Sequence, residues 1–289
     1  MLLMPITATT SLAGRIDRCE MTMVTGMAEV ARTAGTDDVQ VWQVAGGAAV
    51  LAGAGSPFNK VCGAGFAGPG ELPAWEHIER EHDARQASIQ VESSTLADPR
   101  LATMLTARGY RLVGFENVLA RRLTDAVGSP SSETAVAIVD QADAPAWRQT
   151  VTTGFLHADV FDGPPSHESF DGSVLDRTYE LFGAVPGVVR LLAHRDGQIA
   201  GGASLYLHDG IALMCGAATL PAHRRRGVQA ALLHARIAYA RTAGCDLAVV
   251  TTQPGSKSQE NVQRVGFELI YSRAILVREP KVSADRTPD

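Results

Sequence analysis

Three consecutive arginines, Arg224, Arg225 and Arg226, stand with Gly227 in PAHRRRGVQAALLHARIAYARTAG (221–244), immediately ahead of a helical pattern. A helix N-terminus carries roughly half a positive charge and several N–H groups without partners, so cations there destabilise the helix by a few tenths of a kcal/mol each. The arrangement makes physical sense if an anion sits at that end. Turn amides aimed at one spot, a glycine that admits a close ligand and guanidinium groups at the rim together make a phosphate cradle. Taken alone, an arginine run reads as a solvated face, so its surroundings must decide.

Those surroundings are regular. LMCGAATL (213–220) is an apolar strand ended by Pro221. The helix after Gly227 has an apolar stripe of Val228, Ala231, Leu232, Ala235, Ala238, Tyr239 and Thr242, and Gly244 is its natural stop. CDLAVVTT (245–252) is a short run of the kind buried on both faces of a sheet. PGSKSQENVQRVGF then gives a turn and a second helix from about 256–258, and FELIYSRAILVRE a final strand. Upstream, 188–220 reads as three strands joined at Asp196-Gly197 and Asp209-Gly210, both strong hairpin signals. Ahead of them lie helices over about 144–157 and 166–182, separated by DGPPS, and a candidate first strand, TAVAIVD (134–140).

The chain also repeats itself. RGYRLVGFENVLARRL (108–123) resembles VGFELIYSRAILVREP (265–280) at an offset of 157 residues. Carried back, that offset sets IQVESST (89–95) under LAVVTT (247–252) and Gly70 under Gly227. Where the second copy has Arg224, Arg226 and Gly227, the first has Ala67, Pro69 and Gly70, so it keeps the framework and loses the guanidinium groups. Residues 122–133, RLTDAVGSPSSE, have the composition of a linker. The division is therefore a first copy over 1–121, a linker over 122–133 and a second copy over 134–289.

Composition narrows the function. Hydrophobic residues at 45%, charged residues at 20% and a net charge of −5 describe a globular protein without the broad basic surface of a nucleic-acid binder. Cys19, Cys62, Cys215 and Cys245 are scattered, with no metal-like grouping, and read as reduced thiols. The N-terminal stretch lacks the basic start and long apolar core of a signal peptide, and no segment approaches a membrane span, so a cytoplasmic protein with no membrane partner and no metal is expected. Monomer and homodimer stay open.

With these residues in place, the second copy resembles the GNAT superfamily of acetyl-CoA-dependent N-acetyltransferases. Arg224-x-x-Gly227-x-Gln229 matches the pyrophosphate-loop motif, Pro221 the proline before it, and Gly266-Phe267 the late glycine-aromatic pair. The resemblance covers about 134–280, with 20–121 as a degenerate second copy. It implies an α/β (α+β) fold of two GNAT-like domains, each a mixed, mostly antiparallel sheet flanked by helices. It further implies acetyl transfer from acetyl-CoA to a primary amine by direct attack in a ternary complex, and a small-molecule acceptor is expected. The cofactor residues it implies are Ala217, Ala218 and Thr219 on the strand, Arg224, Arg225, Arg226, Gly227, Val228 and Gln229 in the loop and helix start, then Thr252 and Asn261. The chain departs from the family pattern at Gln229, where a small residue is usual, and at Val262, where many members carry a tyrosine that protonates the thiolate. Tyr271 and Ser258 are the candidate general acids. His223 is a candidate aid to phosphate binding, His208 and His234 read as surface residues, and Asp159 and Glu168 are placed where acceptors often bind in the family. In the first copy, SPFNK (56–60), Glu92 and Thr95 read as turn and sheet chemistry rather than acceptor binding. A sensor that binds acyl-CoA without transfer, a protein amine acetyltransferase and a purely structural duplicated domain are the competing functions.

Overall fold

The computed structural model describes residues 5–36, 38–53, 55–124, 133–157 and 170–281. Residues 125–132 of the expected linker (122–133) and the candidates Asp159 and Glu168 lie outside the described residues. The chain divides into two compact units: one of Met1–Ala8 with Glu116–Tyr271, the other of Thr9–Phe115 with Ser272–Asp289. The strands that cross from one to the other are β5 (Arg111–Arg122) and β11 (Glu268–Arg278). Residues 273–278 of β11, placed in the second copy by the sequence division at 121 and 134, pair antiparallel with β4 (Ile89–Ser94) of the first-copy unit.

The first-copy unit opens with the long helix α1 (Thr10–Thr33), capped by the Thr9 hydroxyl accepting from Leu12 N–H at 3.1 Å. Strands β1 (Gln40–Val44), β2 (Gly47–Leu51), β3 (Lys60–Cys62), β4 and the end of β11 follow in that order across its sheet. Every neighbouring pair is antiparallel except β3 with β4. Helices α2 (Leu72–Ala84) and α3 (Pro99–Ala107) contribute Trp75, Ile78, Leu101 and Leu105 to a core shared with Val61, Ile89 and Val91.

The second-copy unit has its sheet in the order β5, β10 (Leu247–Thr252), β9 (Ile211–Thr219), β8 (Gln198–His208), β7 (Val188–Arg195), β6 (Ala135–Ile138). Only β9 with β10 is parallel among its paired strands. Both Asp-Gly hairpins form, with Asp196, Gly197, Asp209 and Gly210 all at positive φ, as a two-residue type I′ turn requires. Helices α4 (Ala144–Leu156) and α6 (Val228–Thr242) cover opposite faces of this sheet. A Cβ on Gly201 would meet Val228 and Leu232 of α6, while one on its neighbour Gly202 would meet Val151 and Trp147 of α4. Helix α5 (Gly172–Gly183) starts six residues later than the sequence pattern predicts, at the Asp171 cap, whose side chain accepts from Ser173 N–H. Helix α7 (Lys257–Arg264) starts within the expected 256–258, and the structure adds that Ser256 caps it.

One expected burial pattern is corrected. Helix α6 buries Val228, Ala231 and Leu232 as read from sequence, then Leu233, Arg236, Ile237 and Ala240, while Ala238 and Thr242 are exposed. The stripe drifts because alanines carry little hydrophobic signal, and the helix turns the larger Leu233 and Ile237 toward the sheet. Of the cysteines, Cys19 and Cys62 are buried, Cys215 and Cys245 half-buried, and all four are free thiols.

Candidate active site

The site begins where two parallel strands part. Leu247 to Val250 of β10 run in register with Ile211 to Met214 of β9, and the pairing stops there. Thr251 and Thr252 continue only against Val118 and Asn117 of β5. On its other side β9 carries one extra residue between the pairs Ser204–Cys215 and Gly202–Ala218, a β-bulge. A bulge bends its strand and sharpens its twist, which turns 215–219 away from β10. Gly216 sits at the bulge with φ +55°, and a Cβ there would lie 2.8 Å from Ser204 Oγ and 3.4 Å from a ring carbon of Tyr179. The Ser204 hydroxyl donates to the Cys215 carbonyl at 3.0 Å, fixing the distortion.

Beyond β9, Pro221–His223 makes one 3₁₀ turn, and Arg224 returns to an extended conformation. Arg225 (φ +60°) and Gly227 (φ +79°) are both left-handed. Helix α6 therefore starts at Val228 from a glycine cap that offers its first amides no side-chain oxygen. A Cβ on Gly227 would meet nothing within 4 Å, so the turn is open on that side. The turn combines a left-handed glycine, helix amides without a side-chain cap and arginines alongside.

The arginines divide their work. Arg224 donates to the carbonyls of Thr219, at 3.4 Å, and His157. It thus straps the turn to the end of α4. Arg225 is exposed. Arg226 is half exposed, with its guanidinium 3.6 Å from Asp196 and its carbonyl accepting from Arg195 at 3.0 Å.

Gln229, the departure in the motif, is held out of the way. Asn261 Nδ2 donates to Gln229 Oε1 at 2.6 Å, and Arg264 donates to Asn261 Oδ1 at 3.4 Å. Asn261, expected to bond the cofactor itself, is thus engaged by the side chain that would otherwise crowd the turn. Ala217 is exposed, and Ala218 and Thr219 are half-buried. Gly154 of α4 fits against Ala218 so closely that a Cβ would come within 2.5 Å of the Ala218 Cβ. Two buried polar atoms near these elements lack a hydrogen-bond partner among the described residues: Thr252 Oγ1 at the end of β10 and His223 Nδ1 in the 3₁₀ turn. Orphaned buried polar atoms are costly, and a ligand group is one way to satisfy them.

The candidate acids have different surroundings. Ser258 is exposed on the first turn of α7, whereas Tyr271 is buried in β11. Val262, at the family's tyrosine position, packs in the core with Phe267. His234 bonds within its own helix to Ala230 O at 2.8 Å, and His208 stacks on Tyr206. Sequence reading missed Arg236, whose side chain is buried and whose Nη1 donates to the Ser204 carbonyl at 3.3 Å, opposite the bulge. Burial pulls its pKa down to about 10. No signal short of the packed structure marks an arginine inside an alanine-rich stripe.

In the first copy, Glu92 is a structural group. Arg273 lies 2.6 Å from Asp17, 2.5 Å from Glu20 and 3.3 Å from Glu92, and Lys60 is 2.7 Å from Glu92. Glu20 is desolvated, yet Arg273 and Lys60 together hold its pKa at about 2, while burial and the Glu20 charge push Glu92 upward. Among the described residues no cluster of three or more His, Cys, Asp or Glu is placed to hold a metal, and no helix is long and apolar enough to cross a membrane.

Comparison with known proteins adds the family. Residues 157–267 match the acetyltransferase (GNAT) family. The chain carries a GNAT domain. That domain contains the bulge, the open turn and the α7 segment that holds Gln229. The fold is similar to a GCN5-related N-acetyltransferase from Kribbella flavida, at 20% identity and a TM-score of 0.61, covering 88% of this chain and 96% of that one. It is also similar to a tandem GNAT protein from the clavulanic acid biosynthesis pathway, at 16% identity and a TM-score of 0.57, covering 82% and 80% of the two chains. A GCN5-related N-acetyltransferase from Sphaerobacter thermophilus matches at 18% identity and a TM-score of 0.55, covering 74% and 70%. At these identities the likeness is one of fold. No curated protein matches the chain in sequence.

Proposed function

We propose that the GNAT domain transfers an acetyl group from acetyl-CoA to a primary amine, that of a small molecule, by direct attack in a ternary complex. The observation that carries this reading is the open, left-handed turn at Gly227 placed just past the parting of β9 and β10. A helix start with uncapped amides and no bulk at its glycine suits a pyrophosphate, and the family of the domain supports an acyl-CoA as its source.

Each residue then has a task. The amides of Gly227, Val228 and Gln229 would hold the pyrophosphate, with Arg225 and Arg226 as the cationic rim and Arg224 bracing the turn. Ala217, Ala218 and Thr219 would offer their backbone to the pantetheine arm along the edge that β10 leaves, and the Thr252 hydroxyl lies on the opposite side of that gap. Acetyl-CoA supplies the activated acyl group. Fixing the acyl carbon and the amine in one orientation is the main source of rate. The amine must lose a proton before it attacks, and the departing thiolate must gain one. Tyr271 and Ser258 stay the candidate acids, and Tyr271→Phe and Ser258→Ala separate them: the residue that matters loses kcat while the acetyl-CoA Kd holds.

The deciding experiment is calorimetric titration with acetyl-CoA, followed by thiol release with a panel of small amines and lysine peptides. Binding and turnover on a small amine support the proposal. Turnover on peptides alone moves the acceptor to protein amines. Binding without turnover favours a sensor, and absence of binding removes the cofactor assignment.

A further inference from the structure

A cleft of about 280 Å³ opens in the second-copy unit between the start of α4, the end of α5 and β7. Its aromatic walls are Trp147 and Tyr179, edge to face at 5.9 Å. Its charged lining is Arg148, Glu180 and Arg190. Arg148 is already neutralised, 3.2 Å from Asp176 and 3.0 Å from Glu180, and Glu180 also takes Arg177 at 2.5 Å. Arg190 differs. Among the described residues no carboxylate is within ion-pair distance of it, and its guanidinium is held 5.9 Å from the Trp147 ring centre. Gly183 makes room for this pose, since a Cβ there would stand 3.4 Å from Arg190 Nη1 and 3.3 Å from Trp147. Three arginines facing two carboxylates leave one positive charge, on a guanidinium fixed by an aromatic face beneath it.

The cleft and the bulge share a wall. Tyr179 lines the cleft, and the same ring lies against Gly216, where β9 turns from β10. Arg190 is paired with Ser204 across β7 and β8, and Ser204 with Cys215 across β8 and β9, so cation and bulge stand level in the sheet.

We propose that this cleft receives the acceptor and that Arg190 binds a carboxylate on it, so the substrate is an amine that also bears a carboxylate. The inference rests on the acetyl-transfer reading. A planar guanidinium with an unmatched charge favours a carboxylate held by two parallel hydrogen bonds, and the aromatic walls suit the carbon skeleton between the two groups.

The test compares three forms of each amine in the thiol-release assay: the free acid, its carboxamide and the decarboxylated amine. Phosphate-bearing amines are run alongside, and acetyl-CoA affinity is measured separately on the same protein. The free acid is expected to show kcat/KM about tenfold or more above the other two. Arg190→Gln should raise KM for the acid by a similar factor, change kcat by less than about threefold and erase the preference, while acetyl-CoA Kd and Tm hold. Arg190→Lys should recover part of it. Equal use of acid and carboxamide, preference for a phosphate, or absence of turnover on any carboxylate-bearing amine by protein that binds acetyl-CoA overturns the proposal. So does an Arg190→Gln variant that loses Tm and kcat with its preference intact, which would make Arg190 a brace for the end of α5. Failure to bind acetyl-CoA would end the underlying reading, and this one with it.

Discussion

The two copies place a glycine with the same left-handed backbone at matching points and use it in opposite ways. Gly70 has φ +80° and Gly227 has φ +79°. A Cβ on Gly70 would come within 3.1 Å of Ala45 at the β1–β2 turn, whereas one on Gly227 would meet nothing. The first turn is closed by its own unit: Gly65 N–H donates to Ala45 O at 2.9 Å, Asp98 N–H to Gly65 O at 2.9 Å, and Trp75 Nε1 to Pro69 O at 2.9 Å. Its helix starts at Leu72 from a cap at Glu71, an acidic residue of the chain itself whose side chain bonds none of the first amides. The second helix begins at a bare glycine behind three arginines. Shared backbone geometry therefore does not define a binding turn. What defines it is whether the surrounding protein has filled the space and supplied the charge.

The sharpest way to break this contrast is to attack the filled copy where its charges are buried. Arg273→Ala removes the guanidinium that pairs with Asp17, Glu20 and Glu92, and should cost about 3–5 kcal/mol in urea unfolding while acetyl-CoA affinity, measured below the transition, is retained. A fall in affinity matching the fall in stability would mean that the first copy does more than hold structure. At the glycines a crossed pair of substitutions is informative. Gly227→Val should weaken acetyl-CoA binding by at least about 100-fold and cost roughly 1–2 kcal/mol of backbone strain. Gly70→Val should leave binding alone and cost more stability, because about 1–3 kcal/mol of overpacking against Ala45 adds to the same strain. Calorimetry and unfolding on both variants would show whether the effects cross.

Acid should also separate the copies. His82 of α2 is buried with its Nδ1 against Ser88 O at 3.1 Å, and burial pulls its pKa down to about 4. The unfolded chain takes up this proton below pH 6.5 and the folded one only near pH 4. Stability of the first-copy unit should therefore fall as pH drops through that window, by about 2 kcal/mol at pH 5, with His82→Gln flattening the slope. The smallest effect belongs to the Gln229 clamp. Asn261→Ala removes the hydrogen bond that holds Gln229, so acetyl-CoA affinity should drop about fivefold in calorimetry, and Gln229→Ala in the same background should restore it.

Much of this was legible along the chain because it is local. Asp-Gly pairs, the start of α7 near 256–258 and the glycine ahead of α6 act within a few residues, and the repeat revealed itself by a constant offset. Contacts between residues far apart in sequence were not legible. Arg224 reaches His157, Asn261 reaches Gln229, and Arg273 reaches Asp17, and in each case the partner's side chain or carbonyl is brought there only by packing. The bulge at Gly216 was hidden for a related reason: CGAAT reads as an ordinary small-residue strand until its register against β8 is known.

The membership of β11 bears on how the protein is made. On a ribosome, Thr9–Phe115 emerges well ahead of Ser272–Arg278, with about 150 residues between them. At roughly 5–20 residues per second that gap lasts on the order of 10–30 s. During it, β4 presents an unpaired edge, and Asp17, Glu20 and Glu92 await the guanidinium that will neutralise them. The first half of the gene product is thus the last to be finished, and a nascent chain stalled before Ser272 exposes a sticky, acid-lined strand edge to whatever chaperone or neighbouring polypeptide reaches it first.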